Sequence, residues 1–241
     1  MAAASELAAR KDVMTTTHVS EVKHQTRARS MSYVEYLDSV GYLGERSLLA
    51  HCVQLDERDV RLLSETDTRV AHNPLTNLKL GSGVAPVPTM TNYGVTVGLG
   101  TDNPSASDTV APLSDLQYAA LVHRGERRDP GAVAAETALE MATLRAARAI
   151  GRGDDLGSIE AGKLADLVLV DLDYPHLTPR RDVVSTIVFG THGHEVDVVV
   201  RGGEVVMRDG TVLGLQDRYA DLSRAARDRG QAVVDRAGLR R

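Results

Sequence analysis

Three short apolar or β-prone stretches in this chain each finish on, or just before, an ionisable residue. Val95 to Leu99 leads through Gly100-Thr101 to Asp102. Val13 to His18 ends on an imidazole with Glu21 three residues on, and Leu48-Leu49-Ala50 runs into His51. Segments of helical pattern separate them, which implies parallel βα units. A parallel arrangement delivers every strand end to one rim, where catalytic groups converge.

The intervening pattern supports that reading. Ser32 to Val40 places Tyr33, Tyr36, Leu37 and Val40 at helical spacing. Asp56 can cap a helix running to about Glu65, with Asp59 in its third position. Arg69 to Ala71 is a short strand broken by His72-Asn73-Pro74, and Pro86 to Tyr93 a short helix. After Asp102 the texture changes. Leu113 to Arg124 reads as a helix, and Ala132 to Ile150 as one long Ala- and Leu-rich helix closed by Gly151. Leu167 to Asp171, Val196 to Arg201 and Glu204 to Arg208 read as strands, the last two joined by a Gly202-Gly203 hairpin turn. Tyr219 to Arg241 is a charged, Arg-rich helical tail, and Met1 to Lys11 an Ala-rich helix.

Four βα units occupy about 125 residues, whereas a closed eight-stranded barrel takes about 250. Half a barrel leaves two open strand edges. The expectation is therefore that the chain is the C-terminal part of a longer protein or pairs with a second copy.

Composition narrows the partners. A net charge of -5 with no sustained basic patch argues against a nucleic-acid groove, and 3% aromatics without Trp leave few stacking platforms. No apolar stretch approaches the roughly 18 residues of a membrane span. The single cysteine, Cys52, fits a reducing compartment, so a cytoplasmic location is expected.

Histidine and aspartate are the ligand types that hold a hydrolytic metal ion, and such an ion brings the pKa of a water it binds towards about 7. His18 with Asp102 can supply ligands, and the spacing of Glu21 lets it reach substrate beside the ion. His51 can hydrogen-bond a water or a developing anion.

These segments resemble the amidohydrolase superfamily, and within it the methylthioadenosine/S-adenosylhomocysteine deaminase and chlorohydrolase group. The residues that carry the resemblance are His18-x-x-Glu21, Ala50-His51-Cys52, His72-Asn73-Pro74-Leu75-Thr76-Asn77-Leu78-Lys79-Leu80-Gly81-Ser82-Gly83 and Gly100-Thr101-Asp102. Downstream, Ala142-Thr143-x-x-Ala146-Ala147 and Leu156-Gly157-Ser158-Ile159-Glu160-Ala161-Gly162-Lys163-Leu164-Ala165-Asp166-Leu167 match as well.

The resemblance implies an α/β fold: strands five to eight of a TIM (β/α)8 barrel plus part of a small β-sandwich. Residues 1–155 would form the half-barrel catalytic region, 156–215 the partial sandwich and 216–241 the charged tail. His18 and Asp102 would be metal ligands, with zinc favoured over iron or manganese. Glu21 would shuttle protons, His51 would orient the attacking hydroxide, and Asp102 would also serve as base. The His72 to Lys79 run would shape the pocket. The implied substrate is a small N-heterocycle such as an adenosine derivative, losing ammonia. The family takes two further ligands from a His-x-His pair on its first barrel strand, and no such pair precedes His18 here. Asn103 stands where many members have glycine. Two rivals remain: a chlorohydrolase or other cyclic amidohydrolase, and a non-catalytic half-barrel that serves oligomerisation.

Other histidines have blander readings. His192-Gly193-His194 reads as a surface loop, His24 and His176 as solvated, and His123 as a helix-end residue beside Arg124, where a cation suits the dipole. Cys52 reads as a buried, inert thiol.

Overall fold

A computed structural model of the chain describes residues 1–23, 27–28 and 31–238; His24 lies outside them. After helix α1 (Ala2–Lys11), strand β1 (Thr15–Val19) is followed by a two-residue ladder, β2 (Arg27–Ala28) with β3 (Met31–Ser32). Helix α2 (Tyr33–Ser39) begins on a capping box, in which Ser32 Oγ accepts from the Glu35 amide and Glu35 accepts from the Ser32 amide. Helix α3 (Glu57–Glu65) repeats the device with Asp56 and Asp59, as the sequence anticipates.

Strands β4 (Ser47–His51), β5 (Arg69–His72) and β6 (Val97–Leu99) complete a four-stranded sheet in the order β1-β4-β5-β6, every pairing parallel. The register sets His18 beside Ala50 and His72 beside Leu99, so the strands finish level with one another. Helices α2, α3 and α5 (Val87–Asn92) seal one core with the sheet through Val34, Leu37, Leu49, Val60, Leu63, Val70, Met90 and Val97, all fully buried. Prolines open three more helices: α4 (Pro74–Lys79), α6 (Pro104–Ser107) and α7 (Pro112–Arg127).

The expected helix over 132–150 is two helices, α8 (Ala135–Ala142) and α9 (Leu144–Ala149). Thr143 breaks it, with φ -126° and ψ -99°, while its hydroxyl donates to Leu139 O at 2.7 Å. A β-branched residue that competes for a helical carbonyl overrides the surrounding Ala and Leu propensity. The break lets α8 pack against α7 while α9 lies under β6, where a Cβ on Gly98 would meet Ala146 Cα at 2.8 Å.

Helix α10 (Val183–Gly190) is rich in Val, Ile and Thr, a composition that favours strands. Asp182 caps it by accepting from the Ser185 amide at 2.6 Å, and Val188 joins a second core with Leu116, Ala120, Val133 and Ala138.

The chain forms two compact units, 1–164 with 173–193, and 165–172 with 194–241. The second holds β7 (Leu167–Val170), β8 (Val196–Arg201), β9 (Glu204–Arg208) and β10 (Thr211–Val212) in one antiparallel sheet of order β10-β9-β8-β7, followed by the exposed helix α11 (Tyr219–Arg236). Among the described residues no helix is long and apolar enough to cross a membrane.

Candidate active site

The parallel sheet presents its strand ends on one rim, and there the backbone turns sharply. Ser20, His51, Cys52 and Asp102 have φ of 48°, 72°, 49° and 59°, a left-handed conformation uncommon outside glycine. Strain of that kind persists only where the surroundings over-determine it, and it clusters at functional sites. Gly100 has its own constraint, because a Cβ there would collide with the Asn73 side chain.

The turns gather three predicted side chains, His18, Glu21 and Asp102, around the fourth, His51. The His18 ring meets the His51 ring edge-on, with centroids 4.8 Å apart. His51 Nε2 lies 3.9 Å from Glu21 Oε2 and 4.0 Å from Asp102 Oδ2. One ligand atom from each of His18, Glu21 and His51 falls within 4.8 Å of the other two, a spacing that suits a metal ion. His51 is buried, Glu21 and Asp102 are partly buried, and His18 is exposed. The other oxygen of Asp102 accepts from the Asn103 amide at 2.7 Å, which turns Oδ2 towards His51. Asn103 itself caps α6 through its side-chain oxygen.

Behind His51 stands a layer to which the sequence reading gave no catalytic step. Asn77 Oδ1 lies 2.8 Å from His51 Nδ1, with Asn73 Nδ2 at 3.5 Å from the same nitrogen. The signal was present in Asn73-Pro74-x-x-Asn77: a proline-started turn puts positions i and i+4 on one face. His123 corrects its reading. It sits within α7, fully buried, with its Nε2 3.3 Å from that of His72. Burial drives both imidazoles towards the neutral form: His72 falls well below its ordinary range and His123 to about 4. Asp115, also fully buried, accepts from the Leu75 amide at 3.4 Å; desolvation, reinforced by the charge of Asp102, pushes its pKa up to about 6.

Cys52 is buried, and desolvation raises its thiol pKa, so it is no nucleophile. His176 occupies a 3-10 turn, Pro175–Leu177, beside Tyr174. His192-Gly193-His194 lies in the connection from α10 to β8, where half-exposed His194 pairs with Glu195.

Residues 1–206 match the model of the amidohydrolase family. The chain belongs to that family. Among curated amidohydrolase relatives, it is 44% identical over 99% of its length to an S-triazine hydrolase of Gordonia rubripertincta, covering 50% of that protein. It is 38% identical over 91% of its length to a 5-methylthioadenosine/S-adenosylhomocysteine deaminase of Moorella thermoacetica, covering 53% of it. These are the two branches that the motifs suggest. Among solved structures, an adenosine deaminase from Xanthomonas campestris with bound zinc superposes with a TM-score of 0.92 at 30% identity, over 96% of this chain and 54% of that one. The chain thus spans about half the length of the curated relatives it matches.

Proposed function

We propose that this amidohydrolase chain belongs to a metal-dependent hydrolase of non-peptide carbon–nitrogen bonds that deaminates an N-heterocycle such as an adenosine derivative. In this reading β1, β4, β5 and β6 are barrel strands five to eight. Residues 1–155 are the catalytic half-barrel region, 156–215 the partial sandwich and 216–241 the tail. The protein works in the cytoplasm, where a lone buried thiol stays reduced.

The observation that carries the reading is His51 Nε2. It is buried, has no hydrogen-bond partner among the described residues, and faces two carboxylate oxygens at 3.9 and 4.0 Å. An orphaned buried nitrogen is costly, and two carboxylates around it favour a cation with its water in the space between. His18, Glu21 and His51 offer ligand atoms within 4.8 Å of one another and Asp102 lies beside His51, so the rim fits a divalent metal; in this reading His18 and Asp102 are its ligands, with zinc supported by the zinc-bound deaminase neighbour. Such an ion acidifies water and polarises the bond under attack.

The chain's own groups have distinct tasks. His51 orients the water through Nε2; Glu21 takes its first proton and Asp102 Oδ2 takes the second. Glu21 donates a proton to a ring nitrogen as the water adds, and the water's other proton, taken by Asp102 from the newly added hydroxyl, goes to the departing amine, which must be protonated to leave. His18 and Asp102 provide two protein ligands where catalytic zinc usually has three, so turnover requires a further ligand. It comes from the remaining length that the relatives possess or from a second copy of the chain.

The test is ammonia release from 5'-deoxyadenosine and from an amino-s-triazine. The zinc-supplied chain is assayed alone and coexpressed with the half of the S-triazine hydrolase that it does not match. Release that Glu21→Gln and Asp102→Asn each abolish is expected. Release indifferent to both substitutions would overturn the roles given to these residues. The 44% identity to the S-triazine hydrolase favours, as the second reading, loss of another ring substituent such as chloride. Chloride measured in the same reaction separates the two. A stable assembly with zinc far below one per chain and no turnover would point instead to a non-catalytic oligomerisation module.

A further inference from the structure

We infer that Asn77 is a positioning residue that fixes the tautomer of His51: its side-chain carbonyl accepts from Nδ1–H and leaves Nε2 as the bare nitrogen facing Glu21 and Asp102. A neutral imidazole has one donor and one acceptor nitrogen, and the partner of one decides the state of the other. The 2.8 Å contact from Nδ1 to Asn77 Oδ1 is a full-strength hydrogen bond, whereas Asn73 Nδ2 at 3.5 Å sits at the limit of one. Both members of the short contact are 1% exposed, so water does not compete for either.

Asn77 is also held still. Its amide donates to Asn73 O at 3.1 Å, its carbonyl accepts from the Ser82 amide at 2.8 Å, and Pro74 opens the turn that carries it. Lys79, two residues on, pairs with Asp108 and ties the turn to the end of α6. Asn77 neither gains nor loses a proton at ordinary pH, so the bias it imposes does not vary with conditions. The consequence is a specific polarity at the rim: His51 receives a hydrogen bond from a water or shares its lone pair with a cation, and does not donate. That use of Nε2 rests on the proposed hydrolase reading; the tautomer itself does not.

The experiment uses the full chain with ¹⁵N-labelled histidine, free of metal, at pH 8. Two-bond proton–nitrogen correlations identify the protonated ring nitrogen, and His51→Gln assigns the signal. The expected spectrum shows His51 with its proton on Nδ1. Asn77→Asp, which keeps an acceptor, retains that pattern, and Asn77→Leu loses it to a mixture or to the Nε2–H form. A wild-type His51 protonated on Nε2 overturns the inference whether or not Asn77→Leu folds. An unchanged Nδ1–H pattern in a folded Asn77→Leu does so as well. Calorimetric zinc titration of the same sample separates the two readings: no zinc binding with the expected tautomer defeats the metal proposal and leaves this one standing.

Discussion

Replacing His123 by glutamine probes the buried imidazole pair and reverses an order of stability with pH. His123 is fully buried against His72, and its pKa falls from 6.5 to about 4, chiefly because desolvation disfavours the cation and then because Arg127 lies near. A folded value below the unfolded one means that stability is fully present above about 6.5 and drains away as pH falls towards 4. The depression corresponds to about 3 kcal/mol. Glutamine keeps a hydrogen-bonding group for His72 but cannot protonate. At pH 7 the substitution costs about 1–2 kcal/mol through imperfect packing and a weaker hydrogen bond. By pH 4 the wild type has lost the His123 contribution, so the variant equals or exceeds it. Urea unfolding followed by circular dichroism at pH 7, 6, 5 and 4 gives both curves. Comparing variant with wild type matters, because Asp115 titrates in the same window with the opposite sign. A difference between the two proteins that stays constant from pH 7 to 4 would refute the buried-neutral reading.

Other outcomes follow from the same packing. Asp115→Asn removes a buried carboxylate whose Oδ2 has no hydrogen-bond partner among the described residues. Because the folded pKa is raised, the charge costs stability as pH rises past about 6, so the variant should gain about 1–2 kcal/mol at pH 8 and nothing near pH 4. Urea midpoints at the two pH values check this, and a less stable variant at pH 8 would contradict it. Gly98→Ala drives a methyl into Ala146 Cα at 2.8 Å and should cost about 1–3 kcal/mol by thermal unfolding; no loss would mean that α9 yields freely. Ser32→Ala deletes the capping box and a 2.5 Å contact with Asp59, so about 1–2 kcal/mol should go, with faster amide exchange confined to α2 and its neighbour α3.

The sequence made the strand ends legible because parallel βα order and ionisable termini are local patterns. His18, Glu21, His51 and Asp102 could be picked out for that reason, and the structure sets the other three around His51. What surrounds them depends on contacts between distant segments. The His72–His123 contact spans 51 residues, and the Leu75–Asp115 hydrogen bond spans 40. Neither leaves a periodic trace. His123 looked like a helix-end cation because its neighbour is Arg124, yet α7 runs on to Arg127 and turns that imidazole inward. Helix α10 and the break at Thr143 were hidden for the same reason. Packing against α7 and α8 outweighs the strand propensity of Val and Ile in the first, and a single hydroxyl outweighs Ala and Leu in the second.

Zinc titration of the ¹⁵N-histidine-labelled chain, read at the ring nitrogens of His18 and His51, tests most directly whether the rim is one cation site. Both rings should respond over the same zinc range in the wild type, and Asp102→Asn should weaken both responses together by tenfold or more. Rings that respond at separate zinc concentrations, or that ignore the loss of the Asp102 carboxylate, would show that these groups do not hold an ion in common.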